Sequence, residues 1–204
     1  MIFEKQHFDK YCNGRPYEDT LDIHLITYYR LCRIYSDIMD LSVPQIVHWL
    51  KDKTVLDVGC AMGHVVSDLW NNDIQAWGYD ASEYAINNKV SHRVWLGNHD
   101  EQLLKIPHNT FDIIFANSFQ YTFDKDQLMS WLKNTYKVCR HSVLFCCTVQ
   151  DDMQCNITEN IKEIQIVRPR FWWNKIFMDA GFLTSKWVAP SLGVYLKNEL
   201  HNSR

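Results

Sequence analysis

From residue 54 onward, short runs of consecutive apolar residues alternate with amphipathic stretches. Val55-Leu56-Asp57-Val58, Gln75-Ala76-Trp77-Gly78-Tyr79, Arg93-Val94-Trp95-Leu96 and Phe111-Asp112-Ile113-Ile114-Phe115-Ala116 each read as a strand. The most apolar run is Ser142-Val143-Leu144-Phe145-Cys146-Cys147-Thr148-Val149. Continuous rather than alternating hydrophobicity belongs to strands covered on both faces, as in a parallel sheet.

Helical spacing appears between these runs. Leu128, Trp131, Thr135 and Val138 form one stripe behind an N-cap at Asp124. Pro169 suits a first helical turn, Trp173, Ile176, Phe177 and Ala180 then share a face, and Gly181 is a C-terminal stop. The last apolar runs, 182–188 and 194–197, meet across Ala189-Pro190-Ser191-Leu192-Gly193. A parallel crossover needs about a dozen residues or more, so this short joint predicts an antiparallel pair.

The pattern therefore predicts an α/β fold: a Rossmann-like, seven-stranded, mostly parallel sheet whose last strand is antiparallel. An N-terminal helical segment precedes it, with Leu21, Leu25, Tyr28, Cys32, Tyr35 and Met39 on one stripe, read as a helix packed on the sheet. One domain is expected over 1–204, with 1–53 as a helical cap and 54–200 as the core.

Composition narrows the partners. With a formal net charge of −3, the chain lacks the basic balance that broad phosphate neutralisation requires, so nucleic acid is not favoured. No run reaches the roughly 20 apolar residues of a membrane span, and Met1-Ile2-Phe3-Glu4-Lys5-Gln6 lacks the apolar core of a signal peptide. Seven cysteines without a C-x-x-C pair suggest reduced thiols, hence a cytoplasmic protein. The nine histidines show no zinc-type spacing, and no metal is expected.

Chemistry concentrates in Val55-Leu56-Asp57-Val58-Gly59-Cys60-Ala61-Met62-Gly63-His64. A strand runs into small residues and then into a helix whose N-terminus presents free N–H groups. A dinucleotide fingerprint, G-x-G-x-x-G, would need its last glycine where His64 stands. The acidic Asp57, two residues before Gly59, instead suits a ligand bearing an ammonium group. Asp80 closes the next strand about 20 residues on, where a carboxylate can accept both hydroxyls of a ribose. Gly97-Asn98-His99-Asp100-Glu101, after the third strand, supplies polar groups for an adenine edge. Ribose, adenine and an amino-acid end together describe S-adenosylmethionine.

On these residues, and on Gly78-Tyr79-Asp80-Ala81-Ser82-Glu83-Tyr84-Ala85, the chain from 54 to about 198 resembles the class I S-adenosylmethionine-dependent methyltransferases. The resemblance implies that Asp57, Gly59, Cys60, Ala61, Gly63 and His64 meet the methionine end. It assigns Asp80 and Ala81 to the ribose, and Asp100 with Glu101 to the adenine, with Asn98 as the alternative to Asp100. Asn117 and Ser118 fall where the family lines the methionine and the transferred methyl group, and Tyr17 lies in an element, Gly14-Arg15-Pro16-Tyr17, that closes over the cofactor. Ala61 departs from the usual glycine, and its methyl group is tolerated if its φ is negative.

Gln120, Tyr121, His99 and His64 are the candidates for a base or orienting group. His64 is expected to cap or line the loop rather than catalyse, and Trp172 to face a substrate. The long stretch 150–167, with a short strand at Ile164-Gln165-Ile166-Val167, is read as a lid. A small-molecule acceptor, with a hydroxyl favoured, is the leading expectation. The alternatives are an RNA or protein methyltransferase using Lys133, Lys137, Arg140, Arg168 and Arg170, and a catalytically silent cofactor-binding partner subunit.

Overall fold

The computed structural model describes residues 28–117, 123–147, 149, 166–189 and 192–197. The chain forms a seven-stranded sheet of order β3-β2-β1-β4-β5-β7-β6, and it divides into two compact units, Met1–His99 and Asp100–Arg204. The strands are β1 (Thr54–Val58), β2 (Gln75–Asp80), β3 (Val94–Leu96), β4 (Phe111–Asn117), β5 (Cys139–Cys146), β6 (Thr184–Ala189) and β7 (Leu192–Leu196). Among the described residues, no helix is long and apolar enough to cross a membrane.

In the first unit, α1 (Tyr28–Met39) buries Leu31, Cys32, Ile34, Tyr35 and Met39, so Cys32, Tyr35 and Met39 of the expected stripe are packed and Tyr28 is half-buried. Leu21 and Leu25 lie outside the described residues. The next helix, α2 (Val43–Lys51), opens with Pro44 in its first turn, where no N–H is missed. Ser42 steadies that end, its N–H and hydroxyl both donating to Gln45 Oε1 at 3.0 and 2.7 Å. Strands β1, β2 and β3 run parallel, and the register sets Asp57 beside Gly78 and Asp80 beside Leu96. Helix α3 (His64–Asn71) follows β1, and α4 (Glu83–Asn87) follows β2 behind an N-cap at Ser82.

In the second unit, β4 and β5 are parallel, while β7 runs antiparallel to both β5 and β6. The reversed strand is therefore inserted inside β6 rather than left at the edge. Helix α6 (Lys125–Val138) starts at the expected Asp124, which exchanges hydrogen bonds with Gln127 at 3.0 and 2.8 Å. Helix α7 (Arg170–Asp179) has Pro169 as its N-cap, and Trp173, Ile176 and Phe177 are buried as the spacing predicts. Phe177 stacks on Tyr195 of β7 at 3.5 Å and packs against Phe145 of β5 at 5.2 Å. The remaining helix, α5 (His99–Lys105), begins where the first unit ends.

Strand β5 runs from Cys139 rather than 142 and stops at Cys146 rather than 149. Polar Arg140 and His141 join it because both meet the buried Asp112 carboxylate, His141 at 3.3 Å. Val149 forms only an isolated bridge with Arg168.

Candidate functional site

Within the first unit, the carboxyl ends of β1 and β2 hold the residues that the motif singled out. Gly59, at φ +73°, turns the chain off β1, and the N–H groups of Gly59 and Cys60 both donate to the Tyr79 carbonyl, at 2.9 and 3.1 Å. Gly63, at φ +83°, closes the turn with its N–H on the Cys60 carbonyl at 2.9 Å. A side chain at Gly63 would set its Cβ 2.7 Å from Val94 Cγ1, so both backbone angle and space require glycine.

Ala61 corrects an expectation. Its φ is +50°, in the left-handed region, not negative. The compensation is visible: the Ala61 N–H donates to Asp80 Oδ2 at 2.8 Å. The same carboxylate accepts the Ser82 N–H on Oδ1 at 2.8 Å, so Asp80 bridges the loop after β1 and the start of α4. Further, the Asp80 carbonyl accepts the Gly97 N–H at 2.8 Å, which ties in the end of β3.

Gly78, Ser82 and the Tyr79 carbonyl complete this frame; they lie in the run Gly78 to Ala85 that carries the resemblance, which gives them no role of their own. A Cβ on Gly78 would lie 2.8 Å from Cys60 Cβ, so the absent side chain admits the Cys60 side chain above β2. A small residue beside Asp57 in register, and the Ser-x-x-Ala cap before α4, are the signals that point to them.

The electrostatics are those of two buried acids. Asp57 is 3% exposed and Asp80 8%. Burial, and then the Asp80 carboxylate, push the Asp57 pKa up to about 8. Burial also raises Asp80, against the opposing pull of the Ser82, Ala61 and Ala81 N–H groups. The Cys60 thiol is pushed well above its usual value by burial and then by both carboxylates, so it is not a nucleophile near neutral pH. Neither acid lies in an ion pair among the described residues. A cationic ligand end therefore fits this place.

His99 is buried at the start of α5, 5.6 Å from the Tyr79 ring, and burial lowers its pKa to about 4. His64 is the first residue of α3, half-buried, and Ala81 is half-buried before α4. Asn98 is exposed. Glu101 is exposed on α5 and pairs with Lys105 at 3.7 Å. Asp100 lies in the same helix, and half-buried Asn117 ends β4, beside Cys146 in register. Tyr17, Ser118, Gln120 and Tyr121 lie outside the described residues, as does most of the expected lid. Trp172 is half-buried, edge-on to Trp173 at 5.1 Å, with the Arg168 guanidinium 5.8 Å from its ring centre. Arg140, one of the basic residues considered for RNA, is drawn onto Asp112 and the Asn109 carbonyl. No group of three or more His, Cys, Asp or Glu among the described residues is arranged to hold a metal.

Residues 55–142 match the family model of a methyltransferase domain. No curated protein matches the chain. Among similar solved structures, a SAM-dependent methyltransferase from Aquifex aeolicus is 17% identical, with a TM-score of 0.62 over 95% of this chain and 98% of that one. One from Archaeoglobus fulgidus is 19% identical, with a TM-score of 0.60 over 78% of this chain and 76% of that one. Magnesium protoporphyrin IX methyltransferase from Synechocystis PCC 6803, with bound SAH, is 11% identical, with a TM-score of 0.59 over 95% and 98%. Likeness at these identities establishes a shared fold.

Proposed function

We propose, from the premise that the chain is a class I S-adenosylmethionine-dependent methyltransferase by its matched domain and its fold, that it methylates a hydroxyl group of a small molecule. The observation that carries the cofactor's place is the pair of buried acids at the ends of β1 and β2, joined by the Ala61–Asp80 hydrogen bond. In this reading Asp57 faces the ammonium of the methionine end, and the turn from Gly59 to Gly63 brings backbone close to it. Asp80 accepts the Ala61 N–H on Oδ2 and the Ser82 N–H on Oδ1 at 2.8 Å, and a carboxylate has acceptor sites beyond its backbone N–H bonds for ribose hydroxyls.

Bound S-adenosylmethionine supplies an already activated methyl group. The chain's part is to align the acceptor, exclude water and take the hydroxyl proton. His99 suits orientation better than base catalysis, because a histidine held neutral by burial down to about pH 4 is a weak proton acceptor. Tyr121 as base and Gln120 as orienting group are the candidates to test first.

The test is transfer of labelled methyl from S-adenosylmethionine to a panel of hydroxylated small molecules, with RNA and unfolded protein as parallel acceptors. Label in the small-molecule fraction supports the proposal. Label in RNA or protein instead redirects it to those classes, and bound cofactor with no label anywhere favours a silent partner subunit.

A further inference from the structure

The arrangement at the β1 and β2 ends carries a consequence for how the cofactor binds. Asp57 sits at the end of a central strand with 3% of its surface exposed, beside Gly78 in register. The titratable group acting on it is Asp80 at the end of β2, and the Cys60 thiol in the turn after β1 feels both carboxylates; both groups are themselves buried. No Lys, Arg or His forms an ion pair with Asp57 or Asp80 among the described residues.

The two acids are not equivalent. Asp80 has the Ala61 and Ser82 N–H groups on its two oxygens, which favour its charged form. Among the described residues nothing comparable offsets the burial of Asp57, whose displacement comes from burial first and the Asp80 charge second. Two adjacent buried carboxylates cannot both ionise cheaply, so a single proton between them belongs mainly to Asp57.

Resting on the methyltransferase reading, we propose that Asp57 is protonated in the cofactor-free protein and releases its proton to solvent when the ammonium-bearing end of the cofactor settles against it. No bond other than that O–H changes: the carboxylate left behind is balanced by the arriving ammonium, and the buffer takes the proton. Cofactor affinity then rises with pH over the range in which Asp57 of the free protein is still protonated.

The experiment is calorimetric titration of the full chain with S-adenosylhomocysteine, which carries the ammonium but cannot react, at pH 7 in phosphate and in Tris. The difference in heat between the buffers counts protons. Wild-type protein is expected to release about one proton per ligand bound, and affinity to rise close to tenfold per pH unit below about pH 7.5. Asp57→Asn is expected to bind with release near zero. Binding with equal heats in both buffers, or undiminished release from Asp57→Asn, overturns the proposal. The wild-type comparison decides the matter even if the variant fails to fold. Absence of binding by S-adenosylhomocysteine and S-adenosylmethionine alike defeats the methyltransferase reading, and the proposal with it.

Discussion

The Ala61 N–H donates to Asp80 Oδ2 across 2.8 Å, fastening the turn after β1 to the end of β2. The bond explains why a residue with a side chain holds φ +50° in the middle of a glycine-rich turn. A left-handed non-glycine residue costs on the order of 1 kcal/mol, and a hydrogen bond to a carboxylate contributes about 1.5–3 kcal/mol. The bond wins, and the acid arrives already oriented.

Ala61→Gly is accordingly expected to keep the loop in place while removing the strain. Stability should rise by up to about 1 kcal/mol, because relief of the left-handed strain is partly offset by the freer unfolded chain. Chemical denaturation measures this, and a loss of stability would show that the methyl group packs usefully in the turn.

Gly63→Ala has no such latitude. The new Cβ would meet Val94 Cγ1 at 2.7 Å, and φ +83° is unfavourable for alanine. A destabilisation of about 1–3 kcal/mol, with weakened cofactor binding, is expected. A variant as stable as wild type would mean that Val94 and the loop yield easily.

The two displaced groups predict opposite pH slopes. Asp57 has a folded pKa of about 8 against an ordinary 3.8, so the folded state binds the extra proton between those values. Its contribution to stability therefore falls as pH rises through that window. His99, lowered from 6.5 to about 4, makes stability fall as pH drops through that range. The Asp57→Asn variant should thus gain on wild type steadily from pH 5 to pH 8, and His99→Gln should gain on wild type as pH falls from 6.5 to 4. Thermal midpoints across pH read both, and parallel profiles would contradict the burial of these charges.

Lys197 offers a control that is not among the proposed cofactor residues. Its ammonium donates to Asn109 Oδ1, the Tyr136 carbonyl and the Cys139 carbonyl at 2.8, 2.7 and 2.8 Å. Lys197→Met should cost about 1–3 kcal/mol of stability and leave S-adenosylhomocysteine affinity unchanged. Altered affinity in a folded variant would contradict that separation.

Much of this was legible in the order of residues. Buried strands announce themselves as continuous apolar runs, Asp124 caps α6 through its own side chain, and the short joint between 189 and 192 allows only an antiparallel β6–β7 pair. Long-range partners were not legible. Arg140 and His141 stand outside the apolar run that begins at Ser142 and join the strand only through Asp112, and the sign of φ at Ala61 depends on a carboxylate 19 positions away. His99, in the run read as polar groups for an adenine edge, opens a helix and is buried, and Glu101 of the same run pairs with Lys105. Spacing shows which residues reach the strand ends, and burial then decides what their charges do there.

The central claim is tested most directly by equilibrium binding of S-adenosylmethionine and S-adenosylhomocysteine to wild type and Asp80→Asn, with NAD as control. The account predicts binding of both sulfur ligands to wild type, silence with NAD, and affinity about 10–100-fold weaker in folded Asp80→Asn, equivalent to about 1.4–2.8 kcal/mol for lost charge-assisted hydrogen bonds. Binding of NAD in place of the sulfur ligands, or unchanged affinity in Asp80→Asn, would contradict it.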